Sequence, residues 1–87
     1  MEEPSNVRIT VLYFAQARER AQRDIATFEL PDGSRVRDAV AAIRSDHPEL
    51  EPLWPHLAIA VDGVLAPEDG VLRDGAELAL LPPVSGG

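Results

Sequence analysis

A single segment of this sequence has the spacing of an amphipathic α-helix, and it lies between segments that alternate like β-strands. Its apolar residues recur at intervals of three and four, which places them on one side of a helix; they are Val36, Ala39, Val40 and Ile43. The turn residues 31–34 precede the helix, Ser34 is predicted to cap it, and Pro48 ends it near Asp46 or His47. One helix with one apolar side has to cover a sheet formed by the remaining segments, so few folds remain.

The segments around this helix predict strands, because apolar and β-branched residues alternate or cluster in them between turn residues. They are residues 7–14, 24–30, 57–61 and 77–81. Both sides of the first strand are partly apolar, which favours a strand that is packed on both faces. The order β-β-α-β-(β)-β predicts an α+β fold, in which one main helix lies across one face of a mixed four- to five-stranded sheet.

Shorter segments complete the predicted fold. Residues 16–22 are rich in Ala, Arg and Glu and predict a short helical turn. The Asp62-Gly63 pair predicts a tight turn. Residues 52–55 predict an irregular connection whose apolar side chains close one end of the core.

The length and the hydrophobic share of the chain allow one domain. The sequence has 87 residues, of which 45% are hydrophobic, an ordinary proportion for a small globular fold. We expect a single domain over residues 1–81, with a disordered lead at 1–6 and a flexible tail at 82–87.

Charge and composition exclude several classes of function. The net charge of −7 disfavours nucleic acid and anionic membranes as partners, because both require clustered cations, and it suits either a partner with a basic cleft or simple solubility. The chain has no cysteine, no apolar stretch of about 20 residues, and an acidic, polar N-terminal segment. These features favour a cytoplasmic location.

The usual signs of an active site are missing. The sequence contains no cysteine nucleophile and no Gly-rich phosphate loop. His47 and His56 stand nine residues apart without a motif partner, so we predict surface or helix-end histidines and no metal site. The carboxylates are scattered and suggest solvated loops. We therefore expect a protein that is not catalytic alone.

The last six residues, Pro82-Pro83-Val84-Ser85-Gly86-Gly87, have a pattern of their own. Two prolines fix φ and cannot extend a sheet, so they predict a stiff arm that leaves the last strand. Two glycines remove every side-chain atom from the end. Six extended residues reach about 20 Å, so the arm could pass through a narrow channel and present the carboxylate of Gly87 to the active site of another protein.

Three stretches of the chain resemble one known family. They are residues 12–19 (LYFAQARE), 72–77 (LRDGAE) and 81–87 (LPPVSGG). The sequence is similar to the sulfur-carrier, or small, subunit of molybdopterin synthase, a ubiquitin-like β-grasp family. The resemblance covers about residues 7–87, and the last stretch is the most specific part of it.

The resemblance implies a role for the terminus. An E1-like activating enzyme would use ATP to adenylate Gly87, and a sulfur donor would convert the adenylate into a thiocarboxylate. The tail would then enter the large catalytic subunit and donate sulfur to cyclic pyranopterin monophosphate in molybdenum cofactor biosynthesis. The two subunits would form a heterotetramer, and no cofactor would be bound permanently.

The resemblance also implies which residues meet the large subunit. Pro82, Pro83, Val84, Ser85 and Gly86 would insert with Gly87. Phe14, Leu65 and Leu81 would form an apolar interface, with Arg18 as a polar contact. Ordinary core packing is the alternative for Leu65 and Leu81, whereas Phe14 lies on the side of its strand opposite Val7, Ile9 and Val11, which favours an interface.

Three other functions stay open. A sulfur carrier for thiamine or cysteine biosynthesis would share the fold and the two glycines, although residues 82–85 favour the molybdopterin branch. A ubiquitin-like protein modifier would use the same terminus to form conjugates with lysines. A free-standing interaction domain would have no use for the tail.

Overall fold

The computed structural model describes residues 5–83, and these form one mixed sheet of five strands with helices on one side. The strands are β1 (Asn6–Tyr13), β2 (Ile25–Pro31), β3 (Ala58–Val61), β4 (Val64–Leu65) and β5 (Glu77–Leu81). The helices are α1 (Ala15–Ala21), α2 (Val36–Asp46) and a 3₁₀ helix (Pro48–His56). The predicted α+β architecture, the main helix and the strands are confirmed.

The strand order β2-β1-β5-β3-β4 places the last strand in the middle of the sheet. β5 runs parallel to β1, with Leu80 opposite Tyr13, and antiparallel to β3, with Leu81 opposite Ala58. The end of β1, the end of β5 and the start of β3 therefore share one end of the sheet. Pro82 leaves the sheet at this end, which is called the exit end below.

The core lies between α2 and one face of the sheet. On β1 every second residue is buried, from Val7 to Tyr13, and α2 contributes Val36, Ala39 and Ile43. Leu78 and Leu80 of β5 belong to the same buried cluster. Removing a Val, Leu or Ile side chain of this kind from water stabilises the fold by about 1.5 to 3 kcal/mol.

The start of α2 differs from the prediction, because Arg35 rather than Ser34 is the N-cap residue. The carboxylate of Asp38 accepts a 2.8 Å hydrogen bond from the backbone N–H of Arg35. Ser34 closes the preceding turn instead, since its hydroxyl donates to the carbonyl oxygen of Pro31 at 2.6 Å and its N–H donates to the same oxygen at 3.1 Å. The turn therefore uses the side chain that was expected to cap the helix.

The connection after α2 is more regular than predicted. Residues 48–56 form a 3₁₀ helix, although three of them are proline and cannot donate a backbone hydrogen bond. Leu50 and Leu53 are buried in the core, and Trp54 packs partly against it, so the expected closure of one end of the core is confirmed. The burial of these side chains therefore stabilises a 3₁₀ helix in a segment whose prolines predict an irregular conformation.

The sheet begins earlier than the expected lead of residues 1–6 would allow. Asn6 belongs to β1 and pairs with Pro31, and the carbonyl of Ser5 accepts the N–H of Asp32 at 2.9 Å. Residues 1–4 and 84–87 lie outside the described part of the chain. Among the described residues, 5–83, no helix combines the length and the apolar character needed to cross a bilayer.

Candidate functional site

The face of the sheet opposite α2 carries one apolar residue from each of the five strands, in a single row. Strand pairing places these residues side by side, and they are Ile25, Leu12, Ala79, Ala60 and Leu65. Leu81 and Ala58 form the next row toward the exit end. We call this surface the outer face. Among residues 5–83, no helix packs on the outer face. The prediction that β1 is packed on both faces is therefore wrong for this part of the chain.

The outer face is accessible as well as apolar. Leu65 is 69% exposed and Ile25 is 56% exposed, while Leu12, Ala79 and Leu81 are half-buried by their neighbours. A contiguous apolar surface of this kind on a small protein indicates a binding surface. The two most exposed side chains, Ile25 and Leu65, lie at the ends of the row, and Ala60 within it is buried.

The structure places two of the predicted interface residues on the outer face and two beside its exit end. Leu65 and Leu81 lie on the face itself. Phe14 follows β1 directly, is 45% exposed, and begins α1 as its N-cap residue. The side chain of Arg18, one turn further along α1, is exposed and makes no hydrogen bond or ion pair with any residue between 5 and 83.

Sequence reasoning missed Leu12, Ile25 and Ala79 as parts of this surface. The alternation of β1 already put Leu12 on the same side as Phe14. The other two become neighbours of Leu12 only through strand pairing, which no local pattern reveals.

The predicted tail is described only at its root. Pro82 is half-buried and Pro83 is exposed, and both follow Leu81 without joining the sheet. Val84, Ser85, Gly86 and Gly87 lie outside the described residues, so their predicted roles stay predictions.

His47 is a helix-end residue as predicted, but it is buried instead of lying at the surface. It caps the C-terminus of α2, is 6% exposed, and its Nδ1 lies 2.7 Å from Oε2 of Glu49. Its ring meets the ring of Tyr13 edge-on, with 5.5 Å between centroids. The pKa of Glu49 lies below its usual range because its own backbone N–H and then His47 hydrogen-bond to the carboxylate.

The surroundings of His47 indicate a role in the stability of the fold. Burial raises the pKa of Tyr13 to about 12, against the opposing charge of Arg23, and neither the Tyr13 hydroxyl nor Nε2 of His47 has a hydrogen-bond partner within residues 5–83. His56 is exposed. No group of three His, Cys, Asp or Glu side chains within this range could hold a metal ion.

The structure also has a hollow away from the outer face. It is an open groove of about 480 Å³ along α2, and it is lined by Arg37, Val40, Ala41, Arg44 and Glu68. Arg44 is already engaged, because it donates hydrogen bonds of 2.9 and 2.7 Å to Glu51 and lies 5.7 Å from the ring of Trp54. The groove holds no cluster of acid, base and nucleophile.

The fold and the site together define a class of protein. One long helix packs across a five-stranded sheet with a parallel central pair, as in ubiquitin-like β-grasp proteins, and the chain leaves its last strand beside an exposed apolar face. The chain belongs to the ThiS family, whose family model matches residues 11–87.

Relatives in sequence and structure agree with this assignment. The chain is 41% identical over 83 residues to the molybdopterin synthase sulfur carrier subunit of Chlamydomonas reinhardtii, which covers 93% of this chain and 100% of the relative. A putative molybdopterin converting factor subunit 1 from Pyrococcus furiosus superposes with a TM-score of 0.82 at 34% identity, covering 90% of this chain and 99% of the other.

Two further solved structures broaden the comparison. SAMP1 from Haloferax volcanii has a TM-score of 0.84 at 30% identity, over 92% of this chain and 99% of its own. A complex of subunits 1 and 2 of molybdopterin-converting factor from Helicobacter pylori contains a chain with the same fold, at a TM-score of 0.68 and 23% identity over 93% of this chain and 100% of the other. The predicted family and β-grasp fold are confirmed.

Proposed function

We propose that this protein is the sulfur-carrier subunit of a molybdopterin synthase, and that it carries sulfur as a thiocarboxylate on Gly87. The observation that carries the proposal is the position of the outer face beside the root of the tail, because Leu81 lies on this face and Pro82 follows it directly. The relatives named as sulfur carrier subunits of molybdopterin synthase support the same assignment.

The chemistry of the terminus follows from the weakness of a carboxylate as an acyl donor. In the proposed sequence an oxygen of the Gly87 carboxylate attacks the α-phosphorus of ATP on an E1-like activating enzyme, and pyrophosphate leaves. A sulfide equivalent from the sulfur donor then displaces AMP from the acyl carbon. The resulting thiocarboxylate is a soft anionic nucleophile, and the tether raises its local concentration in the partner's active site.

The outer face is the proposed dock for the large catalytic subunit. Leu12, Leu65 and Leu81 would lose their exposure to water there, and Phe14 with Arg18 would extend the contact at the exit end. Burial of apolar side chains at the centre of an interface supplies most of its stability. The activating enzyme is proposed to bind this sulfur-carrier chain first, and the large subunit is proposed to bind it afterwards. The complete synthase is proposed to be a heterotetramer.

The tail is proposed to enter the active site of the large subunit after docking. Pro82, Pro83, Val84 and Ser85 would span the channel, and Gly86 would let the reactive end pass where a side chain would collide. Two deliveries to cyclic pyranopterin monophosphate would build the dithiolene of molybdopterin. No resident cofactor of this subunit is required for these steps.

Reconstitution tests the proposal. The carrier is prepared once with a Gly87 carboxylate and once with a Gly87 thiocarboxylate, which can be made by treating an intein-derived C-terminal thioester with sulfide. Each form is mixed with the large subunit and cyclic pyranopterin monophosphate. We expect dithiolene only from the sulfur-loaded form, and equal inactivity of both forms would refute the assignment.

A protein modifier is the second candidate, and the similarity to SAMP1, a small archaeal modifier protein, favours it over a free-standing interaction domain. A carrier for thiamine or cysteine biosynthesis shares the terminus. Intact mass of the protein purified from its own cells separates a carrier from a modifier. Replacement of one oxygen by sulfur indicates a carrier, whereas conjugates of much higher mass indicate a modifier.

A further inference from the structure

The sequence contains four Asp-Gly pairs. Within residues 5–83, hydrogen bonds hold the aspartate carboxylate or the Asp-Gly peptide in three of these pairs, and in the fourth they hold neither. The pairs are Asp32-Gly33, Asp62-Gly63, Asp69-Gly70 and Asp74-Gly75. We infer that Asp32-Gly33 is a site of spontaneous isoaspartate formation in the folded protein. This inference is independent of the proposed function.

The reaction needs only the two residues and water. The backbone nitrogen of the glycine attacks the side-chain carboxyl carbon of the aspartate, and one water leaves as a five-membered succinimide forms. Water then adds to the main-chain carbonyl carbon of the ring, and the chain reopens through the side chain as isoaspartate, with no net change in mass. Cyclisation requires a free carboxyl group, an available glycine nitrogen and a peptide plane that can rotate into the attacking geometry.

Backbone N–H groups hold the carboxylates of two of the four aspartates. Oδ1 of Asp74 accepts the N–H of Arg8 at 2.8 Å, and the N–H of Gly75 donates to the carbonyl of Arg8 at 2.7 Å. Oδ1 of Asp62 accepts the N–H of Glu77 at 3.0 Å. Each of these bonds has to break before the side chain can reach the glycine nitrogen.

The Asp69-Gly70 peptide is held at both of its polar atoms. Its carbonyl oxygen accepts a 2.7 Å hydrogen bond from Nη1 of Arg35. Its N–H, on Gly70, donates to the carbonyl of Pro67 at 3.0 Å. The peptide plane therefore cannot rotate without the loss of two hydrogen bonds.

None of these restraints acts on Asp32-Gly33. Within residues 5–83, the Asp32 carboxylate has no hydrogen-bond partner, and neither the carbonyl of Asp32 nor the N–H of Gly33 has one. Both residues are exposed, as are the residues of the Asp62 and Asp74 pairs, so the difference between these sites lies in the hydrogen bonds.

The consequence falls on the joint between β2 and α2. Isoaspartate adds one methylene to the backbone at this turn, between the last pairing of β2 and the start of the helix. The Ser34 N–H bond to the carbonyl of Pro31 spans the lengthened segment, and the Asp32 N–H bond to Ser5 lies immediately before it. We therefore expect the isomerised chain to be less stable than the original.

Ageing of the full-length protein tests the inference. The protein is kept at 37 °C and neutral pH, samples are digested, and isoaspartate at each of the four sites is quantified by electron-transfer fragmentation, which distinguishes the two linkages. We expect Asp32 to isomerise about fivefold or more faster than Asp62 and Asp74, from the net worth of one hydrogen bond. Asp32→Glu, which disfavours the five-membered ring, removes the signal.

The same measurement in concentrated urea is the control. All four pairs have the same chemistry in the unfolded chain, so their rates should converge there. Equal rates in the folded protein, or faster reaction at Asp62 or Asp74, would overturn the inference. Neither outcome bears on sulfur transfer, which the reconstitution experiment tests separately.

Discussion

Leu81 lies directly opposite Ala58 across the antiparallel β3–β5 pair, on the outer face of the sheet. It is also the last residue of β5, and Pro82 follows it. A partner that covers the outer face therefore covers the root of the tail as well. The six residues that follow Leu81 limit the proposed reactive end to about 20 Å from that root. Leu81 thus links the binding of a partner to the outer face with the delivery of the tail to that partner.

Leu65→Asp tests the outer face as the dock for the large subunit. A charge within an apolar contact should weaken binding by about 30-fold, as expected for a hot-spot residue worth about 2 kcal/mol. Val64→Asp is the matched control, because Val64 is the preceding residue, is 68% exposed compared with 69% for Leu65, and points to the other face of the sheet. Calorimetric titration with the large subunit measures both, and equal losses would contradict the assignment.

A chain that ends at Ser85 separates folding from function. The sheet ends at Leu81, so the free energy of unfolding should change by no more than about 0.5 kcal/mol, the usual range for surface changes. Molybdopterin formation should be abolished, because the C-terminal carboxyl group of Gly87 is the proposed site of the thiocarboxylate. Urea denaturation and a dithiolene assay give the two measurements. Full activity of the shortened chain would remove the basis of the proposed function.

Alkaline pH should destabilise the protein through Tyr13. Its native pKa is about 12, compared with 10 in the unfolded chain, so above pH 10 the unfolded state releases a proton that the native state retains. The stabilising contribution is complete below pH 10 and is lost as the pH rises to 12, by up to about 3 kcal/mol at about 1.4 kcal/mol per pKa unit.

The composition makes this titration easy to isolate. Tyr13 is the one tyrosine in the chain, which has no cysteine and no lysine. Phenolate absorbance therefore reports Tyr13 alone, and urea denaturation at several pH values reports stability. Tyr13→Phe should abolish the alkaline loss, and a loss that persists in this variant would assign it to another group.

His47 should contribute to stability, whereas His56 should not. His47→Ala removes a buried ring that contacts Tyr13 and hydrogen-bonds to Glu49. The free energy of unfolding should fall by about 1 to 3 kcal/mol. His56→Ala alters an exposed side chain and should stay within about 0.5 kcal/mol. Thermal unfolding of the two variants at neutral pH makes the comparison, and similar melting temperatures would show that the buried contact is not stabilising.

Sequence patterns correctly predicted the features that are determined by residues close together in the chain. The limits of β5 coincide with the predicted 77–81, since Pro82 cannot continue the ladder. The end of α2 at Asp46 follows from Pro48, and the buried side of α2 follows from the spacing of its apolar residues. Each of these features depends on residues within a few positions of one another.

The remaining features depend on contacts between distant segments. The row on the outer face joins Leu12, Ala79 and Leu65, which are far apart in sequence and meet through strand pairing alone. The 3₁₀ helix forms where Leu50 and Leu53 are held by the core, and the buried ring of His47 contacts the ring of Tyr13. Tertiary packing decided these three, so no window of sequence could have predicted them.

The central position of β5 also orders events during synthesis. β1 and β3 have no neighbour in common until β5 enters between them, yet β5 is the strand that the ribosome makes last. The two parts of the sheet therefore join only after the other four strands have been made, and long-range pairing of this kind is slow to form. The strand from which the proposed tail extends is thus also the strand whose pairing completes the sheet.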